Sequence, residues 1–134
     1  MSGLKEINNS EKYYLIDQGF YKPNLEEKQQ NKGNLLENIV YLELLRQDYK
    51  ITIGKMKDYE VDFIIRKNNE KAYIQVAYEI KEDEKTLERE LRPLLKINDN
   101  YPKYLITTER DDYSQYGIKH LNIIEFLMNF EKSD

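Results

Sequence analysis

Two runs rich in strand-forming residues, 59–66 and 71–78, are separated only by Lys67-Asn68-Asn69-Glu70, and this spacing constrains the fold more than any other feature. Asn tolerates the positive φ angles that tight hairpin turns require, so Asn68-Asn69 reads as a two-residue turn. That turn sets the register: Arg66 faces Lys71, Ile64 faces Tyr73 and Asp62 faces Gln75. Directly opposed residues share a face, with Cβ atoms roughly 4.5–5.5 Å apart. A carboxylate and a carboxamide are therefore expected side by side in the middle of a sheet.

The remaining elements are arranged around this hairpin. Residues 1–10 read as a polar, frayed N-terminal extension, with Met1-Ser2-Gly3 as a cloning remnant. Residues 12–17 form a short aromatic and β-branched strand. Residues 34–47 are the best helix: Asn34 is placed to cap it, and Glu37 follows at the capping-box spacing. Leu35, Leu36, Ile39, Val40, Leu42, Leu44 and Leu45 cover most of its circumference, which predicts a largely buried helix. Glu37 sits at the edge of that apolar arc. Glu43 falls inside it, where burial demands a partner such as Arg89 or Arg92.

A strand over residues 49–53 precedes the hairpin. Asp83 can cap a second helix carrying Leu87, Leu91, Leu94 and Leu95, which Pro93 should kink or split. A strand over 101–107, a polar loop over 109–116, a strand over 118–122 and a closing helix over 123–130 complete the chain. The order β-αβββ-α-β-βα predicts a single α/β domain over residues 11–134, a mixed sheet flanked by helices.

Several chemistries lack the residues they need. Among 134 residues there is no cysteine and one histidine, His120. Thiolate catalysis, Cys-based metal sites and a disulfide framework are excluded, and a two-His metal site cannot be built. The five glycines are too far apart for G-x-G-x-x-G or a phosphate-cradling G-x-x-x-x-G-K-[ST] loop. With 40% hydrophobic and 34% charged residues the composition is globular, and the absence of a long apolar run or secretory leader predicts a cytoplasmic chain with no membrane partner. A formal charge of −4 argues mildly against a dedicated DNA-binding domain.

One constellation remains. Glu37 on a helix, Glu60 and Asp62 on a central strand and Gln75 on its neighbour could together hold a hard cation such as Mg²⁺ or Mn²⁺. A metal held that way positions water and offsets charge on a phosphate. The plainer reading makes Glu37 a capping residue and Asp62–Gln75 a cross-strand hydrogen bond. His120 reads as a packed or surface residue. The twelve tyrosines read as ordinary strand formers. Residues 50–71 hold six bases against four acids, a weak basic patch that could touch phosphates but reads first as a solvated hairpin face.

Gly33-x-x-x-Glu37, Glu60-Val61-Asp62-Phe63 and Ile74-Gln75-Val76-Ala77 together resemble the PD-(D/E)XK nuclease-like, restriction-endonuclease-like fold. More specifically, several separated segments resemble the C-terminal domain of unknown function found in prokaryotic AAA-type ATPases. They are Glu11-Lys12-Tyr13-Tyr14, Gly33-Asn34-Leu35-Leu36-Glu37-Asn38, Tyr73-Ile74-Gln75-Val76-Ala77-Tyr78, Arg92-Pro93-Leu94-Leu95-Lys96-Ile97 and Asn100-Tyr101-Pro102-Lys103-Tyr104. The resemblance covers roughly residues 11–130.

On that pattern Glu37 takes the helix acid position, Asp62 the strand acid position and Gln75 the first position of the (D/E)-x-K element. Ala77 stands where the lysine belongs, and alanine can polarise neither water nor phosphate. Lys55, Lys57 and Lys81 lie near the relevant strand ends but read as solvated. The resemblance thus implies a C-terminal fragment of a larger ATPase, with ATP binding and hydrolysis in an upstream domain. Its nuclease-like site, vestigial catalytic and metal candidates Glu37, Asp62 and Gln75, is expected to be degenerate, and the module to contact nucleic acid or a protein partner. Two alternatives stay open: an active Mg²⁺- or Mn²⁺-dependent nuclease using the same residues, and a purely protein-binding or oligomerisation domain.

Overall fold

The computed structural model describes residues 4–7, 25–81 and 83–130. Strands β1 (Lys5–Ile7), β2 (Lys50–Lys55), β3 (Glu60–Lys67), β4 (Glu70–Val76), β5 (Lys103–Thr107) and β6 (Ile118–Asn122) form one sheet in sequential order. The first four pair antiparallel, and β5 and β6 add in parallel. Helices α1 (Leu25–Arg46) and α3 (Ile123–Asn129) cover one face; α2 (Glu84–Leu95), the crossover between β4 and β5, covers the other.

The hairpin follows the register its turn dictates. Asn68 and Asn69 take φ of 54° and 70°, both in the left-handed region, and the ladder runs from Lys67–Glu70 through Arg66–Lys71 to Phe63–Ile74. On one face Phe63, Ile65, Ile74 and Val76 pack under Leu36, Val40 and Leu44 of α1 and Phe126 of α3. On the other, Ile64, Tyr73 and Leu105 pack under Leu91 and Leu94 of α2.

A bulge interrupts the alternation. Thr52 pairs with Ile64 and Gly54 with Val61, so Asp62 and Phe63 together oppose the single residue Ile53. The extra residue shifts the phase, and Val61 joins the α2-side cluster with Ile64 instead of following Phe63. Gly54 lies against this irregularity. A Cβ there would come within 2.9 Å of both Ile64 Cδ1 and Leu4 Cδ1, so any larger residue would have to push these side-chain ends aside.

Four sequence expectations are corrected. Lys5–Ile7, read as part of a polar extension, is the edge strand β1. Helix α1 begins at Leu25 and runs through Gly33 and Asn34, so Asn34 is an exposed mid-helix residue and caps nothing. Among the described side chains of α1 only Leu36, Val40 and Leu44, at i, i+4 and i+8, are buried; Leu35 and Leu42 are 57% and 56% exposed. Helix α2 is not split at Pro93 but runs on to Leu95. The expected strand at residues 12–17 lies outside the described residues.

Glu43 finds its partner locally. Its carboxylate accepts from Arg46 Nε at 3.0 Å and Nη2 at 2.6 Å, and from Gln47 Nε2 at 2.7 Å. The Arg46 bonds hold the Glu43 carboxyl below the usual range. Arg92 pairs instead with Glu88, one helical turn away. Among the described residues no helix is long and apolar enough to cross a membrane.

Candidate functional site

The β3–β4 ladder is recorded only as far as Phe63–Ile74, and beyond it the next opposed pair, Asp62 and Gln75, bonds through side chains. The Asp62 N–H donates to Gln75 Oε1 at 3.0 Å, and the Val76 N–H donates to Asp62 Oδ2 at 2.8 Å. Each side chain thus replaces a backbone acceptor where the strands part. On its other edge β4 stays with β5: Val76 pairs with Ile106, and the Ala77 N–H reaches the Ile106 carbonyl at 3.0 Å. The juxtaposition expected from the turn is present, and Gln75 Oε1 and Asp62 Oδ2 each serve a main-chain donor. Chemically, the pair is a clamp on the splay between two strands.

Glu37 lies half-buried on α1, and its charge reaches α2. Burial raises the pKa of Glu90, Arg89 opposes that shift, and Glu37 adds to it by like-charge repulsion. Sequence spacing gave no reason to connect Glu37 with Glu90, because the two lie on different helices. Glu60 stands at the strand end opposite Lys55, with the ammonium 3.7 Å from its carboxylate. Among the described residues no three of His, Asp and Glu gather as a group able to hold a metal ion. Of the expected donor set, Gln75 Oε1 and Asp62 Oδ2 each already accept a backbone hydrogen.

The lysine question has a structural answer at three positions. Lys55 pairs with Glu60, Lys81 pairs with Glu79 at 3.2 Å, and Lys57 is exposed. Ala77, 8% exposed, packs its methyl among the α2-side apolar residues. A cation missed by the sequence reading is Lys32, which lies 5.6 Å from the ring centroid of Tyr78, next to Ala77. It was missed because the sequence reading starts this helix at residue 34, whereas α1 begins at Leu25.

His120 is buried in its own hydrogen-bonded pocket. Its Nδ1 accepts from the Tyr113 N–H at 3.2 Å and its Nε2 lies 2.7 Å from Thr107 Oγ1. Burial lowers its pKa, and both ring nitrogens are occupied, so it is a packed histidine and not a ligand.

Glu90 yields a pH prediction. A carboxyl whose folded pKa is raised binds more protons when folded than when unfolded, so it opposes folding increasingly as pH rises through the folded value. Glu90→Gln is expected to raise the denaturation midpoint at pH 8, with the advantage shrinking towards pH 4, where both side chains are neutral. Urea melts at several pH values measure this. A uniform offset across the range would mean that Glu90 is not penalised by burial.

A family model described as a domain of unknown function, DUF4143, matches residues 32–126. An uncharacterized protein of Haemophilus influenzae is 38% identical over 127 residues, covering 94% of this chain and 31% of that protein. An uncharacterized protein of Methanocaldococcus jannaschii is 44% identical over 85 residues, covering 60% of this chain and 18% of that protein. The chain therefore spans less than a third of the length of these curated relatives. No solved structure matches it.

Proposed function

The chain belongs to the DUF4143 family of domains of unknown function, and from that premise we propose that it is a non-catalytic accessory module of a cytoplasmic AAA-type ATPase. Its core is a degenerate PD-(D/E)XK-like sheet, and it acts by contacting a nucleic acid or protein partner. The observation that carries this reading is the fate of the three motif positions on β3 and β4. Asp62 Oδ2 and Gln75 Oε1 each accept from a backbone N–H, and Ala77 is a buried methyl where a water-activating ammonium would stand.

Two further observations support it. An acid-bearing helix packed over a sheet with a central hairpin and two parallel strands at one edge suits such a core. Relatives more than three times as long leave ample chain for an ATPase domain, and the phosphate-cradling glycine motif is absent from these residues.

The test is calorimetric titration with Mn²⁺, alongside cleavage assays on single- and double-stranded DNA and RNA with Mg²⁺ and Mn²⁺. The expected outcome is no heat of binding at millimolar metal and no cleavage. Metal-dependent cleavage abolished by Asp62→Asn would overturn the reading. The rival is an active metal-dependent nuclease with a relocated lysine, and one observation favours it: Lys32 sits over Tyr78 on the helix that carries Glu37. Under that rival, Lys32→Met removes the cleavage as completely as Asp62→Asn.

A further inference from the structure

The hairpin end of the sheet carries a positive surface that the Asp62–Gln75 clamp leaves unexplained. Lys50, Arg66 and Lys71 stand in register across three neighbouring strands, Lys50 opposite Arg66 and Arg66 opposite Lys71. Opposed residues share a face, and like charges placed so are destabilising. Glu6 of β1 ion-pairs with the centre of the row, and its charge also reaches Lys71. It pairs bidentately with Arg66 and accepts from Thr52 Oγ1 at 2.7 Å, and the Arg66 bond above all lowers its pKa to about 2. Among the described residues Lys50 and Lys71 have no carboxylate partner. The flanking ammonium groups of the row therefore form no salt bridge among the described residues.

The row opens onto a groove of about 970 Å³ around the β3–β4 turn. Five bases line it (Arg46 and Lys67 in addition to the row) against the two acids Asp48 and Glu70. Two features point to more than a simple anion. Lys71 Nζ lies 5.2 Å from the ring centroids of both Tyr73 and Tyr101, and Tyr101 is 47% exposed on the groove wall. Gln47 also lines the groove and is 5% exposed, yet its side-chain carbonyl oxygen has no hydrogen-bond donor among the described residues. A buried acceptor without a donor is costly unless a ligand or water supplies one.

We propose that this groove binds single-stranded nucleic acid, with phosphates along Lys50, Lys67 and Lys71 and an unpaired base against Tyr101. Backbone-tracking cations combined with an exposed ring are the general means of holding single strands. The inference rests on the reading of the chain as a contact module and names the partner class.

The experiment is fluorescence anisotropy with labelled single-stranded DNA and RNA 15-mers in EDTA, from 50 to 200 mM salt. Chelation removes cleavage from the readout, so a nuclease found in the metal assays would sink the module reading without altering this result. Three phosphate contacts on a single strand predict a log–log salt slope of about −2, roughly a 15- to 20-fold loss of affinity over that range. The Lys50→Gln, Lys71→Gln double variant is expected to bind about tenfold more weakly at 50 mM with a shallower slope. Tyr101→Ala is expected to weaken binding with the slope unchanged, as loss of stacking would. The double variant relieves the like-charge row, so its melting temperature should not fall. Absence of binding at tens of micromolar, affinity unchanged in both variants, or competition by poly-glutamate as effective as by oligonucleotide would each overturn the proposal, the last in favour of an acidic protein.

Discussion

Phe63→Ala is expected to lower folding stability by about 3–5 kcal/mol, the usual cost of truncating a fully buried phenylalanine. Phe63 has no exposed surface. It stacks on Tyr41 of α1 with ring centroids 6.1 Å apart and planes 24° from parallel, and joins the cluster that ties α1 to the sheet. It is also one of the two residues in the β3 bulge, where a one-residue shift in alternation has already set how the neighbouring strands pack. The cavity would open beneath α1.

Leu35→Ala is the matched comparison, because Leu35 lies on the same helix but faces away from the core. It is expected to cost no more than about 0.5 kcal/mol. Guanidinium melts of both variants measure the difference. A Phe63→Ala loss below about 1 kcal/mol, or a Leu35→Ala loss of comparable size to it, would place the apolar packing of α1 on the wrong side.

That comparison also locates where the sequence was legible. The hairpin could be read because an Asn-Asn turn and a period of two leave one register open, and the ladder from Lys67–Glu70 to Phe63–Ile74 follows it. Helix α1 was half legible. Its apolar residues are concentrated after Gly33, and an N-cap reading of Gly33-Asn34 followed naturally. The preceding residues, Leu25 to Lys32, are rich in Glu, Gln and Lys, which favour helix by intrinsic propensity and leave no apolar stripe to detect.

Apolar residues around most of a helix show that it has a buried side without saying which one. The sheet selects Leu36, Val40 and Leu44 and leaves Leu35, Leu42 and Leu45 outside. The β3 bulge left no local trace, since it exists only in the pairing with β2. The approach of Glu37 to Glu90 and of Lys32 to Tyr78 likewise depends on how separate elements pack. For the site, adjacency of Asp62 and Gln75 could be read from spacing. What their oxygens do could not, because it turns on whether the backbone ladder continues past Phe63.

Asp62 is where these two levels meet, and its substitution is expected to separate structure from chemistry. In Asp62→Ala the Val76 N–H loses its acceptor at a residue that is itself buried, a loss of about 2 kcal/mol for a hydrogen bond to a charged group. Asp62→Asn keeps an oxygen in place and should lose less than about 1 kcal/mol, by exchanging a charge-assisted bond for a neutral one. The expected order of stability is therefore wild type, then Asn, then Ala, measured by chemical denaturation. A carboxylate kept for catalysis against its surroundings behaves differently: its removal commonly leaves the fold unchanged or more stable, because strained and repulsive sites are held at a cost in stability. If Asp62→Asn proved more stable than wild type, the charge would be opposing the fold, and the metal-dependent reading would regain its footing. If the order is as expected, and oligonucleotide binding at the hairpin end is the same in all three, Asp62 is a strut. The splay between β3 and β4 would then be preserved by the side chains that the nuclease-like pattern assigns to metal, with Ala77 removing the last group that chemistry would need.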